Sequence, residues 1–201
     1  MSKVTSILLA GVGGQGIVLA SRVLAEVALK TGNEVKVSEI HGMAQRGGSV
    51  VTHLRFGKQV FSPLISPGQA DFLVGFEKLE AIRLLPYLKQ SGYLIVNDQE
   101  IFPLPVLLGK ASYPDDIIFY LRKQTSRVHY VAALEKAQKL GSPQVVNMIL
   151  LGVLAQYLGI SPDCWEEVIT KSVRSEFMEL NRKAFREGLT LLNRYPLENA
   201  L

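Results

Sequence analysis

One cysteine, Cys164, occurs in 201 residues. A lone thiol cannot close an intrachain disulfide, build a cysteine-rich zinc site or ligate an iron–sulfur cluster. Its neighbours Asp163, Trp165 and Glu166 read as the start of a helix and include no histidine, so Cys164 reads as structural. The three histidines, His41, His53 and His129, fall on different expected elements and show no metal-ligand spacing. No Ser/His/Asp order with a nucleophile elbow is present, and no pair of carboxylates sits in an apolar frame. Long apolar runs are missing too: Val145 to Leu158 is broken by Asn147, Gly152 and Gln156, which argues against a membrane span. The short apolar run near the N-terminus leads into a glycine turn and not into a cleavage site. The expectation is a cytoplasmic chain with no membrane partner. Charge of one sign is also scarce. The 22 basic and 18 acidic side chains give a net charge of +4, and they are scattered, so no basic stripe points to nucleic acid. What remains is an ordinary globular composition, 48% hydrophobic and 20% charged, long enough for one domain with a substantial core.

Val4 to Ala10 has the size of a buried strand, and Gly16 to Lys30 repeats apolar residues at helical spacing until Gly32-Asn33. Glu34 to Ile40 reads as a second strand, completing a βαβ crossover with parallel strands. His41 to Ser49 has no apolar period and reads as a loop. Val50 to Phe56 and Val60 to Ile65, separated by Gly57-Lys58-Gln59, give a hairpin signal, hence an antiparallel pair added to the sheet. The α/β rhythm resumes with a strand over Ala70 to Phe76, a helix over Lys78 to Gln90 that Pro86 could kink, and a strand over Gly92 to Asn97. Ile101 to Ser112 reads as an irregular excursion or short hairpin. A helix entered through Pro114, a strand at Val128 to Ala132 and a helix over Leu134 to Leu140 follow. From Ser142 the pattern is all-helical: Pro143 to Leu158, a helix opened by Ser161-Pro162, and Ser175 to Asn193. Trp165, Phe177, Met178 and Phe185 read as core, and His53 as a surface or cross-strand residue. The fold class is therefore α/β, Rossmann-like, with a mostly parallel sheet, an added antiparallel hairpin and C-terminal helices. It forms a single domain over 1–201, with an α/β core over 1–141 and a helical extension over 142–201.

Two loops carry the chemistry. The first is Gly11-Val-Gly-Gly-Gln-Gly16. A glycine-rich turn between a strand and a helix leaves backbone N–H groups and the positive helix end at one spot, which suits phosphate or carboxylate. Spacing alone permits a dinucleotide site using Gly11, Gly13, Gly16 and Glu39, although Glu39 is a loose match for the ribose-binding acid. It also permits a tight turn that holds no ligand. The second loop is His41-Gly-Met-Ala-Gln-Arg-Gly-Gly48, on the same carboxyl edge of the sheet. Arg46 can pair bidentately with a carboxylate or phosphate, Gly47 and Gly48 free the backbone around it, and His41 can carry a proton or simply line the site.

GVGGQG followed by SEIHGMAQRGGSVVTHLRFG resembles the gamma-type domain of the 2-oxoacid:ferredoxin oxidoreductases. The likeness continues through Ser62-Pro-Leu-Ile, ADFLVGFEKLEA and Gln144-Val-Val-Asn-Met into the terminal helices. SEIHGMAQRGGS tilts it toward members acting on indolepyruvate over those acting on pyruvate or 2-oxoglutarate. The resemblance implies decarboxylation of a 2-oxoacid on thiamine diphosphate with Mg2+, electron transfer through iron–sulfur clusters to ferredoxin, and acyl transfer to coenzyme A. This chain has neither the Gly-Asp-Gly…Asn signature for thiamine diphosphate nor cluster cysteines. The resemblance therefore implies that a large partner subunit holds those cofactors and that the isolated chain is inactive. The implied site is Gly11, Gly13, Gly14, Gln15, Gly16, His41, Gln45, Arg46, Gly47 and Gly48, meeting coenzyme A or the partner. A stand-alone nicotinamide oxidoreductase and a purely structural interaction subunit are the other readings, and the isolated chain could pair with itself through the surface its partner would cover.

Overall fold

The computed structural model describes residues 4–42 and 48–194. Six strands form one sheet: β1 (Thr5–Val12), β2 (Glu34–His41), β3 (Ser49–Gly57), β4 (Ala70–Gly75), β5 (Leu88–Asn97) and β6 (Val128–Val131). Their order is β2-β3-β1-β4-β5-β6. β1 pairs in parallel with β4, β4 with β5 and β5 with β6, whereas β3 runs antiparallel to both β1 and β2. The expected α/β class with a mostly parallel sheet and C-terminal helices is borne out.

Alternate residues of the central strands enter two separate cores, which is why these strands read as continuous apolar runs. Ile7, Leu9, Phe72, Val74 and Ile95 face one core, completed by α1 (Ile17–Lys30), α5 (Ala133–Lys139), α6 (Val146–Leu158), α7 (Pro162–Ser172) and α8 (Met178–Arg194). Leu8, Ala10, Leu73, Leu94 and Val96 face the other, with α2 (Lys78–Leu84) and α4 (Ile117–Gln124). A one-turn helix, α3 (Leu104–Leu107), lies in the excursion after β5. Trp165 stacks on Phe185 at 5.5 Å between ring centroids, both fully buried as expected.

Several expectations are corrected. Residues 60–65 form no strand, and β3 takes β2 and β1 as its antiparallel partners instead. Pro63 removes a ladder donor. The segment's polar groups go to side chains: Val60 N donates to Glu34, Ile65 N donates to His53 Nδ1, and Arg55 donates to the Ser62 and Leu64 carbonyls. His53 is accordingly buried and not a surface residue. β1 and β2 are parallel but not neighbours, because β3 lies between them. The helix from Lys78 ends at Leu84. Pro86 sits in a 3-10 turn, Leu85–Tyr87, and β5 begins at Leu88. The helix expected from Pro114 starts at Ile117, and Phe177 lies 44% exposed on a 3-10 turn, outside the core.

Glu166 of α7 accepts from Arg182 at 2.7 Å and Arg186 at 2.6 Å, both on α8, and these hydrogen bonds, Arg186 first, hold its pKa down to about 2. A depressed carboxylate stabilises the fold above its unfolded pKa of about 4.3 and loses that contribution as pH falls through the folded value. With Arg186 half exposed and screened by solvent, Glu166→Gln is expected to cost about 1–2 kcal/mol at neutral pH. In acid that difference should vanish. Thermal melts of both proteins from neutral pH to pH about 2 check this, and a pH-independent gap would refute it.

Candidate functional site

Strands β1, β2, β4, β5 and β6 all end on one edge of the sheet, where β3 begins, because Val12 faces Ser49, His41 faces Val50, Gly75 faces Val96 and Asn97 faces Val131. β1 leads through α1 on one face to β2, and β4 leads through α2 on the other face to β5. The crevice between β1 and β4 is thus the topological switch point, where open α/β sheets place their ligands.

The first glycine loop occupies this crevice. Gly13 N donates to Gly48 O at 2.9 Å, and Gly42 N donates to Ser49 O at 2.8 Å, so the base of the second loop meets the turn directly. Gly11, Gly13, Gly14, Gln15, Gly16, His41 and Gly48 are brought to this edge. Gln45, Arg46 and Gly47 lie outside the described residues. Gly16 has φ +76°, and a Cβ there would meet Asn147 Nδ2 at 2.5 Å, so glycine is required both by conformation and by close approach. Asn147, at the start of α6, donates to Gly16 O at 3.2 Å. Gln15 folds inward beneath the turn. Its Oε1 accepts from Val12 N at 2.8 Å, and its Nε2 donates to Phe76 O at 2.9 Å and Gln99 Oε1 at 3.0 Å. Asn97 donates to the same two oxygens at 3.0 Å and accepts from Ala133 N. Three amide side chains thereby tie the ends of β1, β4, β5 and β6 together. Ala20 N takes up Gly16 O, the first bond of α1. The amides of Ile17, Val18 and Leu19 have no backbone acceptor among the described residues, and the first turn of α1 carries no acid to repel an anion.

Asn97, Gln99 and Asn147 were missed in the sequence. The signal for the first two is a run of amide residues where a buried strand ends, and for Asn147 a polar residue opening an otherwise apolar helix. His41 is exposed, with Nε2 3.6 Å from Glu39 Oε2, too far for a hydrogen bond. Glu39 accepts from Ser21 Oγ at 2.8 Å. β3 separates β2 from β1, so Glu39 stands two strand spacings, about 9–10 Å, from the turn it would serve in a dinucleotide site. The geometry therefore disfavours the nicotinamide reading. Further along the edge Lys78 pairs with Asp98 at 3.0 Å and Glu100 at 2.8 Å. Burial, the largest influence on Lys78, disfavours its charge, but the bonds to Glu100, Asp98 and Tyr130 together outweigh it and raise its pKa.

Amides at a helix N-terminus with no acid in its first turn suit an anionic group. The sequence model of pyruvate ferredoxin/flavodoxin oxidoreductase matches residues 6–191. The chain belongs to this family. An indolepyruvate oxidoreductase subunit IorB of Archaeoglobus fulgidus is 41% identical, over 91% of this chain and 92% of its own length. Relatives named for 2-oxoglutarate or for pyruvate and ketoisovalerate match at 26–28% identity, so those readings are the weaker ones. The gamma subunit of a keto/oxoacid ferredoxin oxidoreductase from Geobacter sulfurreducens superposes with a TM-score of 0.70 at 25% identity, covering 95% of this chain and 99% of that one. A 2-oxoglutarate:ferredoxin oxidoreductase from Magnetococcus marinus, solved with 2-oxoglutarate, coenzyme A and succinyl-CoA, shares the fold (TM-score 0.73, 20% identity) over the whole of this chain and 33% of its own. Homologues of this chain are thus subunits of 2-oxoacid oxidoreductase complexes.

Proposed function

We propose that this chain is the gamma-type subunit, one domain over 1–201, of a cytoplasmic indolepyruvate:ferredoxin oxidoreductase. In that complex an arylpyruvate, coenzyme A and oxidised ferredoxin become an arylacetyl-CoA, carbon dioxide and reduced ferredoxin. The observation that carries the reading is the 41% identity over nearly the full length to a subunit named for indolepyruvate. Thiamine diphosphate with Mg2+ and the iron–sulfur clusters belong to a large partner subunit. This chain's own residues do not fit a cluster, since Cys164 is one cysteine where four are needed. No helix among the described residues is long and apolar enough to cross a membrane.

The part left to this chain is to receive an anionic group of coenzyme A at the edge where Gly13 meets Gly48. The amides of the first turn of α1, which have no backbone acceptor among the described residues, supply donors. Arg46 is the charge assigned to the group, with Gln45 and Gly47 beside it in sequence, and His41 stands exposed at the same edge. The isolated chain is expected to show no turnover and to gain it when mixed with a thiamine-dependent large subunit that co-purifies with it. Failure of any such chain to co-purify would overturn the reading. In calorimetry on the assembled complex, Arg46→Ala is expected to weaken coenzyme A binding about 10- to 100-fold, the scale of a lost charge-assisted pair. Unchanged affinity would remove Arg46 from the site.

A further inference from the structure

Between β5 and α4 the chain makes an excursion whose two ends are fixed and whose middle turns its apolar side chains outward. The carboxylate of Glu77, itself 1% exposed, accepts from Tyr113 Oη at one end and from Ile101 N at the other, while its second oxygen caps α2 through Glu80 N at 2.9 Å. The rings of Phe102 and Tyr113 pack at 5.2 Å between centroids. On this fixed base Phe102, Leu104, Leu107 and Leu108 are exposed, from 46% to 66%, and Phe119 of α4, 60% exposed, lines the same cavity as Phe102. These are five of the thirteen exposed large hydrophobic residues among those described, gathered in one stretch of chain. Apolar side chains held out on a rigid base mark an interaction surface.

Beside them lies a cavity of about 380 Å3, lined by Phe102, Tyr113 and Phe119 together with Glu100, Asp115 and Asp116. The one cation in its lining, Lys78, is already paired with Asp98 and Glu100, and Lys123 beside the cavity stands over the Phe119 ring at 4.3 Å. Asp115 and Asp116 have no ion-pair partner among the described residues, so the cavity carries net negative charge. Asp116 is the one non-glycine residue described with a positive φ, +52°, an unfavourable conformation of the kind retained at binding sites.

We infer that this platform is the face on which the large subunit of the complex docks, with an apolar patch of that subunit on the exposed leucines and phenylalanines and a protruding arginine or lysine in the acidic cavity. The inference rests on the function proposed above. The charge of the cavity calls for a cationic side chain from the occupant, so an acidic electron carrier would be repelled, and a second copy of this chain is separated from the large subunit by the experiment.

Binding of the full chain to the co-purifying thiamine-dependent subunit, followed by biolayer interferometry at low and high salt, tests this. Leu107→Asp and Phe119→Asp are expected to weaken binding about 30-fold or more, the scale of an interface hot spot. The double variant Asp115→Asn/Asp116→Asn should weaken it about 10-fold and flatten its salt dependence. Phe61→Asp, at an exposed apolar residue off the platform, should bind within about twofold of wild type. Leu107 is exposed on a one-turn helix, so its variant keeps the test decisive even if Phe119→Asp unfolds, and circular dichroism melts verify both folds. Wild-type affinity in the platform variants would overturn the docking face alone. Loss of a homodimer with partner affinity intact would also overturn it, in favour of self-association. A wild-type chain that binds no large subunit would overturn the function and the docking face together.

Discussion

Gly152→Ala is expected to lower the melting temperature by roughly 6–12 °C, the equivalent of about 3 kcal/mol in a chain of this size. Alanine in a helix interior ordinarily gains about 1 kcal/mol over glycine, so the expected loss runs against propensity. Its cause is the crossing of α6 over α8. A Cβ on Gly152 would lie 2.2 Å from the Phe185 carbonyl oxygen and 2.8 Å from Gly188 Cα, and a Cβ on Gly188 would lie 2.1 Å from the Ile149 carbonyl oxygen. These neighbours are backbone, and no rotamer change relieves them. The helices would have to separate, loosening the fully buried Ile149, Leu154 and Phe185 around the crossing. Gly188→Ala should do the same from the other side. Lys183→Ala, on the exposed side of α8, should stay within about 0.5 kcal/mol of wild type. Scanning calorimetry on the three variants and wild type decides it, and a Gly152→Ala protein melting within about 2 °C of wild type would show that the crossing tolerates a methyl group.

Gln15→Glu is expected to cost about 2–3 kcal/mol at neutral pH, although the two side chains have nearly the same shape. One carboxylate oxygen can still accept from Val12 N. The other would face Phe76 O and Gln99 Oε1, two acceptors now 2.9 and 3.0 Å from a donor. The protonated acid could donate to one of them, so its folded pKa must rise above the unfolded value of about 4.3. The penalty is then absent below that value and complete above the raised one, the reverse of Glu166. Stability of the variant relative to wild type should therefore recover as the solution is acidified. A difference that stays constant from about pH 4 to pH 8 would show that the amide cluster does not govern the edge. On the function proposed above, the same variant should raise the KM for coenzyme A in the assembled complex, because Gln15 fixes the turn that leads into the free amides of α1.

The glycine turn was legible because its requirements are local. A strand, a left-handed glycine and a helix lie in consecutive residues, and a likeness to a family completed the reading. Glu39 was placed on its strand correctly, but its distance from the turn depended on β3 entering the sheet between β1 and β2, which no spacing within the βαβ unit records. The lack of a strand at 60–65 has a local cause in the sequence, Pro63, which cannot donate to a ladder. Gln99 and Asn97 were invisible for another reason. An amide at the end of a strand looks like a surface residue until three other strand ends are known to converge on it.

The three residues that break the apolar run of α6 draw the line between the two sources of information. The sequence determined by itself that Val145 to Leu158 is a buried helix and not a membrane span, because polarity and helical period are properties of consecutive residues. Only the tertiary structure decided why the interruptions are there. Asn147 holds Gly16 O, Gly152 lets the backbone of α8 come within contact, and Gln156 donates to Gly188 O at 3.1 Å. Each partner lies from 32 to 131 residues away in the chain, and a packing or hydrogen-bonding need at that separation leaves only a residue type, not a pattern, in the sequence.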